Sequence, residues 1–439
     1  MKHASLSLYL AASLCSPALQ AEDLVPDLPD SAQDSLSPAA APPLGRFSLE
    51  LKGQGIADWR KHDSGVASGR VSARLTGAQE LTEASGIEVD TRLRSQVNSR
   101  ESYQIEQDSR LDVQSLAFTW SAIPSWRWIA GRTNIRNGVA SGFNPTDWFK
   151  ENSQVIIESL DTADRREDRL GVVAIEGVWL TAQSILSFGY RPDLHAKPQT
   201  AAGNAEVVGL GLDRTNNQDA LFVKYAPSPA SWDNVSLTLS SLYLRDRPGL
   251  GAELSMAMSD NVVLYSEWFG QQRQSLADEA MAPDRDNQRW YNQLALGGTW
   301  SAPEVMVNDE DLALSLEYHF NEAGLKQHQL DAWSKAIRSG NPQAGSIAAL
   351  ANVKQEPLAT HQAFTRLAWN DFWADNDLSL ITTVTPMDGS GFTQLALSIP
   401  ATTELRLDLK GYHYFGATDT LYGSSGYKDG VMISFIYTL

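Results

Sequence analysis

Residues 430–439 read G-V-M-I-S-F-I-Y-T-L, and no other stretch limits the possible folds of this chain so tightly. In an extended chain, side chains alternate between two faces. Val431, Ile433, Phe435, Tyr437 and Leu439 therefore share one side, and Gly430, Met432, Ser434, Ile436 and Thr438 the other. The first face is apolar and aromatic to the last residue. A strand like this needs a neighbour on each edge, because an open apolar edge recruits other chains. A sheet that closes on itself supplies both neighbours, so the stretch suits the closing strand of a transmembrane β-barrel. The last strand of a soluble sandwich is the alternative left open here.

The same alternation recurs upstream. Phe47, Leu49 and Leu51 oppose Glu50, Lys52 and Gln54; Val71, Ala73 and Leu75 oppose Arg70, Ser72 and Arg74. Ile87, Val89 and Leu93 oppose Glu88, Asp90, Arg92 and Arg94, and Leu405, Leu407 and Leu409 oppose Glu404, Arg406, Asp408 and Lys410. Helical spacing cannot produce these patterns. Continued along the chain, they give an all-β closed antiparallel barrel of about 18 strands, with about 16 also possible. The expected strand starts are near residues 46, 68, 86, 110, 126, 169, 180, 219, 233, 249, 261, 290, 311, 362, 377, 391, 403 and 430. Connections after odd strands include all the longest (136–168, 191–218, 272–289, 321–361 and 416–429). Those after even strands are short, apart from 302–310. Long loops outside and short turns inside are the habit of bacterial outer-membrane barrels.

The lumen of so wide a barrel cannot be filled by Leu and Val side chains, so its interior must be wet. The charged faces then point inward, since Arg or Lys facing hydrocarbon near the midplane costs about 2–4 kcal/mol each. This puts Arg70, Arg74, Glu88, Asp90, Arg92, Arg94, Arg366, Glu404, Arg406, Asp408 and Lys410 on the lumen side. There they can select solutes through the field they set, or pair with one another and stiffen the wall. Trp120, Trp126, Trp128, Trp268, Trp290, Trp300, Trp369 and Trp373 fall near strand ends, as interfacial girdles do.

The beginning of the chain agrees with export. Residues 1–21 carry Lys2 and His3, a short apolar run and Ala21 as a cleavage point, and read as a secretory signal peptide. Cys15 is the one cysteine, but Leu14 precedes it where lipoprotein processing wants a small residue. Cleavage after Ala21 removes it, so the mature chain would depend on its sheet and not on disulfides. Residues 22–45, with Pro26, Pro29, Pro38, Pro42 and Pro43, read as a disordered periplasmic lead-in, and 46–439 as one barrel domain. No later stretch has the length of a membrane helix. A net charge of −18 excludes nucleic acid as a partner.

Between the fifth and sixth strands the chain reads Gly131-Arg132-Thr133-Asn134-Ile135-Arg136, then Gly142-Phe143-Asn144-Pro145-Thr146-Asp147-Trp148-Phe149. Arg132, Asn134 and Arg136 share a face that should look into the lumen. Asn144-Pro145 makes a turn, and Asp147 can cap a short helix starting at Trp148. The segment resembles a family of Gram-negative outer-membrane barrels with a Gly-Arg/Lys strand followed by an Asn-Pro-x-Asp-aromatic loop. Those barrels in turn look distantly related to alginate-export porins. Glu317-Tyr318-His319-Phe320-Asn321-Glu322 and Asp388-Gly389-Ser390 match in style. The resemblance implies a pore-forming barrel; alginate-export barrels pass an acidic polysaccharide through an arginine-lined pore, whereas this lumen face mixes signs. The motif either contributes to the pore or only folds an outer loop back onto the barrel.

In the longest loop, Leu325, Gln329, Trp333, Ala336 and Ile337 have helical spacing, with Asn341-Pro342 as a stop. Such a helix either narrows the mouth or lies flat outside it. No catalytic site, zinc spacing or phosphate loop is found, and no metal or cofactor is expected. His413 has no compelling serine beside it, and Asp278, Glu279, Asp284 and Asp286 lack the order of an EF-hand. The expected function is an outer-membrane channel for a polar or charged solute or an exported polymer. An outlet paired with an inner-membrane transporter, with 22–45 as the contact, and a structural or adhesive barrel closed by 321–361 are the alternatives. Expected partners are outer-membrane lipid and lipopolysaccharide, and the barrel-assembly machinery acting on 430–439.

Overall fold

A computed structural model describes residues 46–60, 63–99, 108–154, 158–194, 212–229, 231–232, 234–245, 247–283, 287–303 and 311–439. The signal and lead-in expectations, and Asp284 and Asp286, lie outside the described residues.

Alternating segments become strands in one 18-stranded sheet, each antiparallel to its sequence neighbours. They run β1 (Arg46–Arg60), β2 (Asp63–Thr82), β3 (Ser85–Asn98), β4 (Ser109–Ile123), β5 (Trp126–Thr133) and β6 (Val172–Thr181). Next come β7 (Ser184–Arg191), β8 (Ala220–Pro227), β9 (Val235–Leu244), β10 (Arg247–Ser259), β11 (Val262–Arg273) and β12 (Arg289–Ser301). The last six are β13 (Asp311–Asn321), β14 (His361–Trp373), β15 (Asn376–Thr385), β16 (Ser390–Pro400), β17 (Leu405–Phe415) and β18 (Tyr427–Thr438). β18 closes the ring on β1, in a register running from Glu50 opposite Thr438 to Arg60 opposite Tyr427. The edge that 430–439 would have left open is paired on both sides.

The two faces separate as the alternation requires. Val431, Ile433, Phe435, Tyr437 and Leu439 all point outward and are exposed, Phe435 by 57%, whereas Ser434 and Ile436 are buried on the inner side. Val71, Leu93, Leu116, Leu221, Leu264, Leu316 and Leu395 continue the outward apolar belt around the ring. Such a belt suits hydrocarbon, and a closed ring satisfies every ladder N–H and C=O without water. The fold is a transmembrane barrel. Half-buried and exposed tryptophans mark its rims: Trp126 stacks on Trp128 and Trp179 at the short-turn end, with ring centroids 6.1 and 5.8 Å apart. At the other end, Trp268 and Trp290 both donate to Asn292.

Strand starts agree with the sequence reading to within a few residues. The largest differences are at β2, which begins earlier, and at β7, where Leu180 still belongs to β6 and pairs with Ile185 across the turn. One site residue moves: Glu404 stands in the exposed turn before β17, its N–H bonded to Thr402, and is not on the wall.

Five α-helices lie wholly within the described connections: α1 (Thr162–Glu167), α2 (Leu212–Thr215), α3 (Leu276–Met281), α4 (Gln327–Arg338) and α5 (Pro342–Lys354). A single 3-10 turn, Trp148–Lys150, stands where the sequence predicts a short helix. α4 forms where the helical spacing predicts it, and Asn341-Pro342 stops it as expected. The same pair also starts α5, with Asn341 accepting the Gln343 N–H as N-cap and Pro342 in the first turn, where a missing N–H costs nothing.

Candidate functional site: a loop inside the barrel

The described parts of the connection between β5 and β6, residues 134–154 and 158–171, do not fold back outside. They enter the lumen and meet wall residues around most of the ring. The first half is docked on β11 and β13 by two buried wall carboxylates. Glu267 accepts the Ala140 N–H at 2.5 Å and the Thr146 hydroxyl at 3.0 Å. Glu317 accepts the N–H groups of Ser141 and Gly142 at 2.5 and 2.8 Å, the Tyr265 hydroxyl at 2.7 Å, and faces His319 Nε2 at 2.7 Å. Small residues in 138–142 allow this close approach. Gly138 has φ +94°, and a Cβ there would sit 2.7 Å from both Glu267 oxygens.

The Asn-Pro-x-Asp-aromatic motif is the rest of that dock. Asn144 bonds Ala140 O and Glu267 with its amide and offers its carbonyl to Lys150 Nζ at 2.6 Å. Pro145 sits in the turn between them. Asp147 does not cap a helix through its side chain; it takes two bonds from the Arg169 guanidinium, at 2.6 and 3.1 Å. Burial opposes ionisation of Asp147, but Arg169 and Arg166 outweigh it and hold the carboxyl below its usual range. Burial also pushes the Lys150 ammonium down to about 8, against the pull of Asp147. Trp148 and Phe149 pack on Phe222 and Phe269 of the wall, joined by Ile135, Val172 and Leu242. Burying Phe149 alone contributes about 1.5–3 kcal/mol. The interior is therefore not uniformly wet, because between β6 and β13 the loop and wall form a dry seam.

The second half of the loop turns an acidic edge to the opposite wall. Glu158 pairs with Lys52 at 2.7 Å and Arg70 at 3.3 Å, and Asp168 with Arg92 at 2.9 Å and Arg94 at 3.0 Å. Asp161 meets Arg366 at 3.1 Å, Asp164 meets Lys410 at 2.6 Å, and the Leu160 N–H bonds Gln394 at 2.8 Å. Burial disfavours the Glu158 carboxylate, but Lys52, Arg94 and Arg92 prevail and bring its pKa down to about 2.

The sequence-derived candidates thus divide. Arg70, Arg92, Arg94, Arg366 and Lys410 face the lumen and hold the loop. Arg74 pairs with Asp90 along the wall at 2.6 Å, Glu88 accepts from Ser115 at 3.1 Å, and Arg406 pairs with Asp408 at 3.1 Å. Arg132 is enclosed, donating to Gly171 O and Thr215. Asn134 bonds Arg166 O and Arg169, and Arg136 lies half-buried in the coil after β5, so the expected lumen-facing trio serves the base of the loop. Sequence reasoning missed Glu267 as a dock and the acids 158, 161, 164 and 168 as an edge. A lone carboxylate among Val263, Tyr265 and Phe269 on the inward face of β11 was the available signal for Glu267.

The longest connection covers this loop. Leu276, Leu325, Leu330, Trp333 and Ile347 of α3, α4, α5 and their flanks form an apolar cluster with Leu421. At its base the Asn152 N–H bonds Val353 O at 3.0 Å, Gln355 reaches Lys150 O at 2.6 Å, and Lys354 pairs with Glu151 at 3.2 Å and Glu279 at 3.0 Å. The C-terminal end of α5 thus sits on the inner loop, with α4 packed beside it. Among the described residues no group of three or more His, Cys, Asp or Glu stands together as a metal site.

No protein-family model matches the chain, and neither does any curated protein. Among solved structures, it is similar to Pseudomonas aeruginosa OpdQ at 10% identity, with 90% of this chain and 98% of that chain covered and a TM-score of 0.49. It is similar to the outer membrane protein OprD from Pseudomonas aeruginosa at 10% identity, covering 90% and 94%, with a TM-score of 0.48. For Salmonella typhi OmpF the values are 8% identity, 90% and 97% coverage, and a TM-score of 0.46.

Proposed function

We propose that this chain is an outer-membrane channel for polar or charged solutes, with its long loops outside the cell and its lumen narrowed by residues 134–171. The observation that carries the reading is the asymmetric seating of that loop. One flank is fixed to β11 and β13 by buried carboxylates, whereas the other is held mainly by ion pairs, some of them open to water, with Gln394 bonding Leu160 and Ser159. The Asp164 side chain is 50% exposed in its pair with Lys410, and Arg406 below it is 51% exposed. A route for solutes therefore follows the inner face of β17, past Arg406, Asp408 and Lys410. A loop built only to seal the barrel would have no reason to leave this side wet.

Planar-bilayer recording of the mature protein tests the proposal. Discrete, ohmic current steps are expected, and they should survive deletion of 22–45. A silent protein would favour the structural or adhesive reading, and steps lost with the lead-in would favour an outlet that depends on a partner.

A further inference from the structure

Above Lys410 the wall changes character. Tyr412 and Tyr414 of β17, Phe392 of β16 and Tyr422 of the following loop form a continuous aromatic surface. Ring centroids lie 5.7 Å apart for Tyr412–Tyr414 and Phe392–Tyr414, and 5.5 Å apart for Phe392–Tyr422. Gly430 on β18 makes room for it, since a Cβ there would lie 2.2 Å from Tyr412 Cζ. The Tyr412 ring thus lies across β18, and its hydroxyl bonds Asp58 of β1. Gln362 donates to the Tyr422 hydroxyl at 3.3 Å. From the inner loop, Arg165 comes close enough to Tyr414 and Tyr422 to interact with them electrostatically. All four rings are half-buried and keep part of their surface open.

Aromatic faces left against water in an otherwise charged lumen gain free energy when an apolar surface covers them. Tyr422 packs in part against the apolar cluster of the covering helices. Tyr412, Tyr414 and Phe392 are in none of the apolar clusters, whereas the inner loop covers Phe222 and Phe269 on the opposite side. The rim of the surface carries both donors and acceptors: tyrosyl hydroxyls, the Asp58 carboxylate and the Arg165 guanidinium. One open aromatic face with a mixed polar rim suits a solute ring that is apolar on its C–H face and hydroxylated around its edge. A flat hydrophobic solute would instead require enclosure on both faces. From this geometry we infer that the Tyr412–Tyr414–Phe392–Tyr422 surface is a saccharide-binding site on the solute route. Its place on a route rests on the channel reading above; its binding does not.

The test uses glucose oligomers of one to six units with the purified protein in detergent, read by calorimetry, together with a bilayer recording. Saturable binding that tightens with chain length is expected. It should weaken roughly tenfold or more in Y412A/Y414A, the scale of losing two ring contacts, and stay within about threefold in Y412F/Y414F. Heat-modifiable gel mobility confirms a closed barrel, and F392A carries the comparison where the double variant does not fold. In bilayers the hexamer should interrupt the current, while a polyethylene glycol of equal radius should not. Equal binding by Y412A/Y414A, or no saturable binding by the unaltered protein, overturns the site. Binding that depends on Tyr412 and Tyr414 in a protein giving no current steps keeps the site and overturns the channel.

Discussion

Replacing Glu267 and Glu317 together with alanine is expected to raise single-channel conductance several-fold while the barrel stays closed. These two carboxylates accept the backbone N–H groups of Ala140, Ser141 and Gly142 and the side chains of Asn144 and Thr146. Hydrogen bonds to a charged acceptor contribute about 1.5–3 kcal/mol each, and a buried donor left unpaired costs about 1–3 kcal/mol. Several such losses exceed what the apolar contacts of Trp148 and Phe149 can offset, so the loop leaves the wall and its N–H groups go to water. The ladder pairing of β11 and β13 uses backbone groups and does not need either carboxylate. Current steps show the wider lumen, and limited proteolysis within 134–171 shows the released loop. Unchanged conductance in a folded double variant would mean that this loop does not limit passage.

Acidification is expected to loosen the opposite flank. The Glu158 pKa is about 2 in the folded protein against an ordinary value of 4.5. The stabilisation it gives is therefore complete above about pH 4.5 and is lost as pH falls towards 2, an effect on the order of 3 kcal/mol. Glu356 beneath the α4–α5 pair is also brought down to about 2. Burial raises it, but Arg273 and Lys354 overcome this, so the covering helices lose their hold in the same window. Conductance at pH 3 should exceed that at pH 7, reversibly. E158Q should reproduce part of the rise at neutral pH and flatten the pH profile. It should also shift selectivity towards anions, because Lys52, Arg70, Arg92 and Arg94 lose a shared counter-charge. An E158Q channel indistinguishable from the unaltered one at both pH values would contradict the pairing.

What the sequence disclosed, and what it withheld, follows from the range of the forces involved. Strand alternation is local, so Leu405–Lys410 and 430–439 announce their faces to anyone counting by twos, and closure follows because an apolar edge cannot stay open. The inner loop is held by contacts such as Ala140 with Glu267 and Asp161 with Arg366, which no local period encodes. Even so, one trace of the dock was present. Residues 220–223 read Ala-Leu-Phe-Val, apolar on both faces, and such a strand is covered on both sides. Outside, Leu221 is exposed in the belt; inside, Phe222 is buried under Phe149. Reading the lumen as wet throughout overlooked that second cover. Likewise Asn144, Pro145, Asp147 and Trp148 were legible as a motif, but their purpose depends on Arg169 and on wall residues far away in sequence.

All of this assumes that hydrocarbon meets the outside of the ring and water its inside. Spin labels placed singly at Leu395 and Ala396, neighbours on the two faces of β16, test that most directly in lipid bilayers. The label at Leu395 should be relaxed by oxygen and shielded from a water-soluble nickel chelate, and the label at Ala396 should behave in the opposite way. Finding Ala396 in the acyl chains and Leu395 in water would contradict the account.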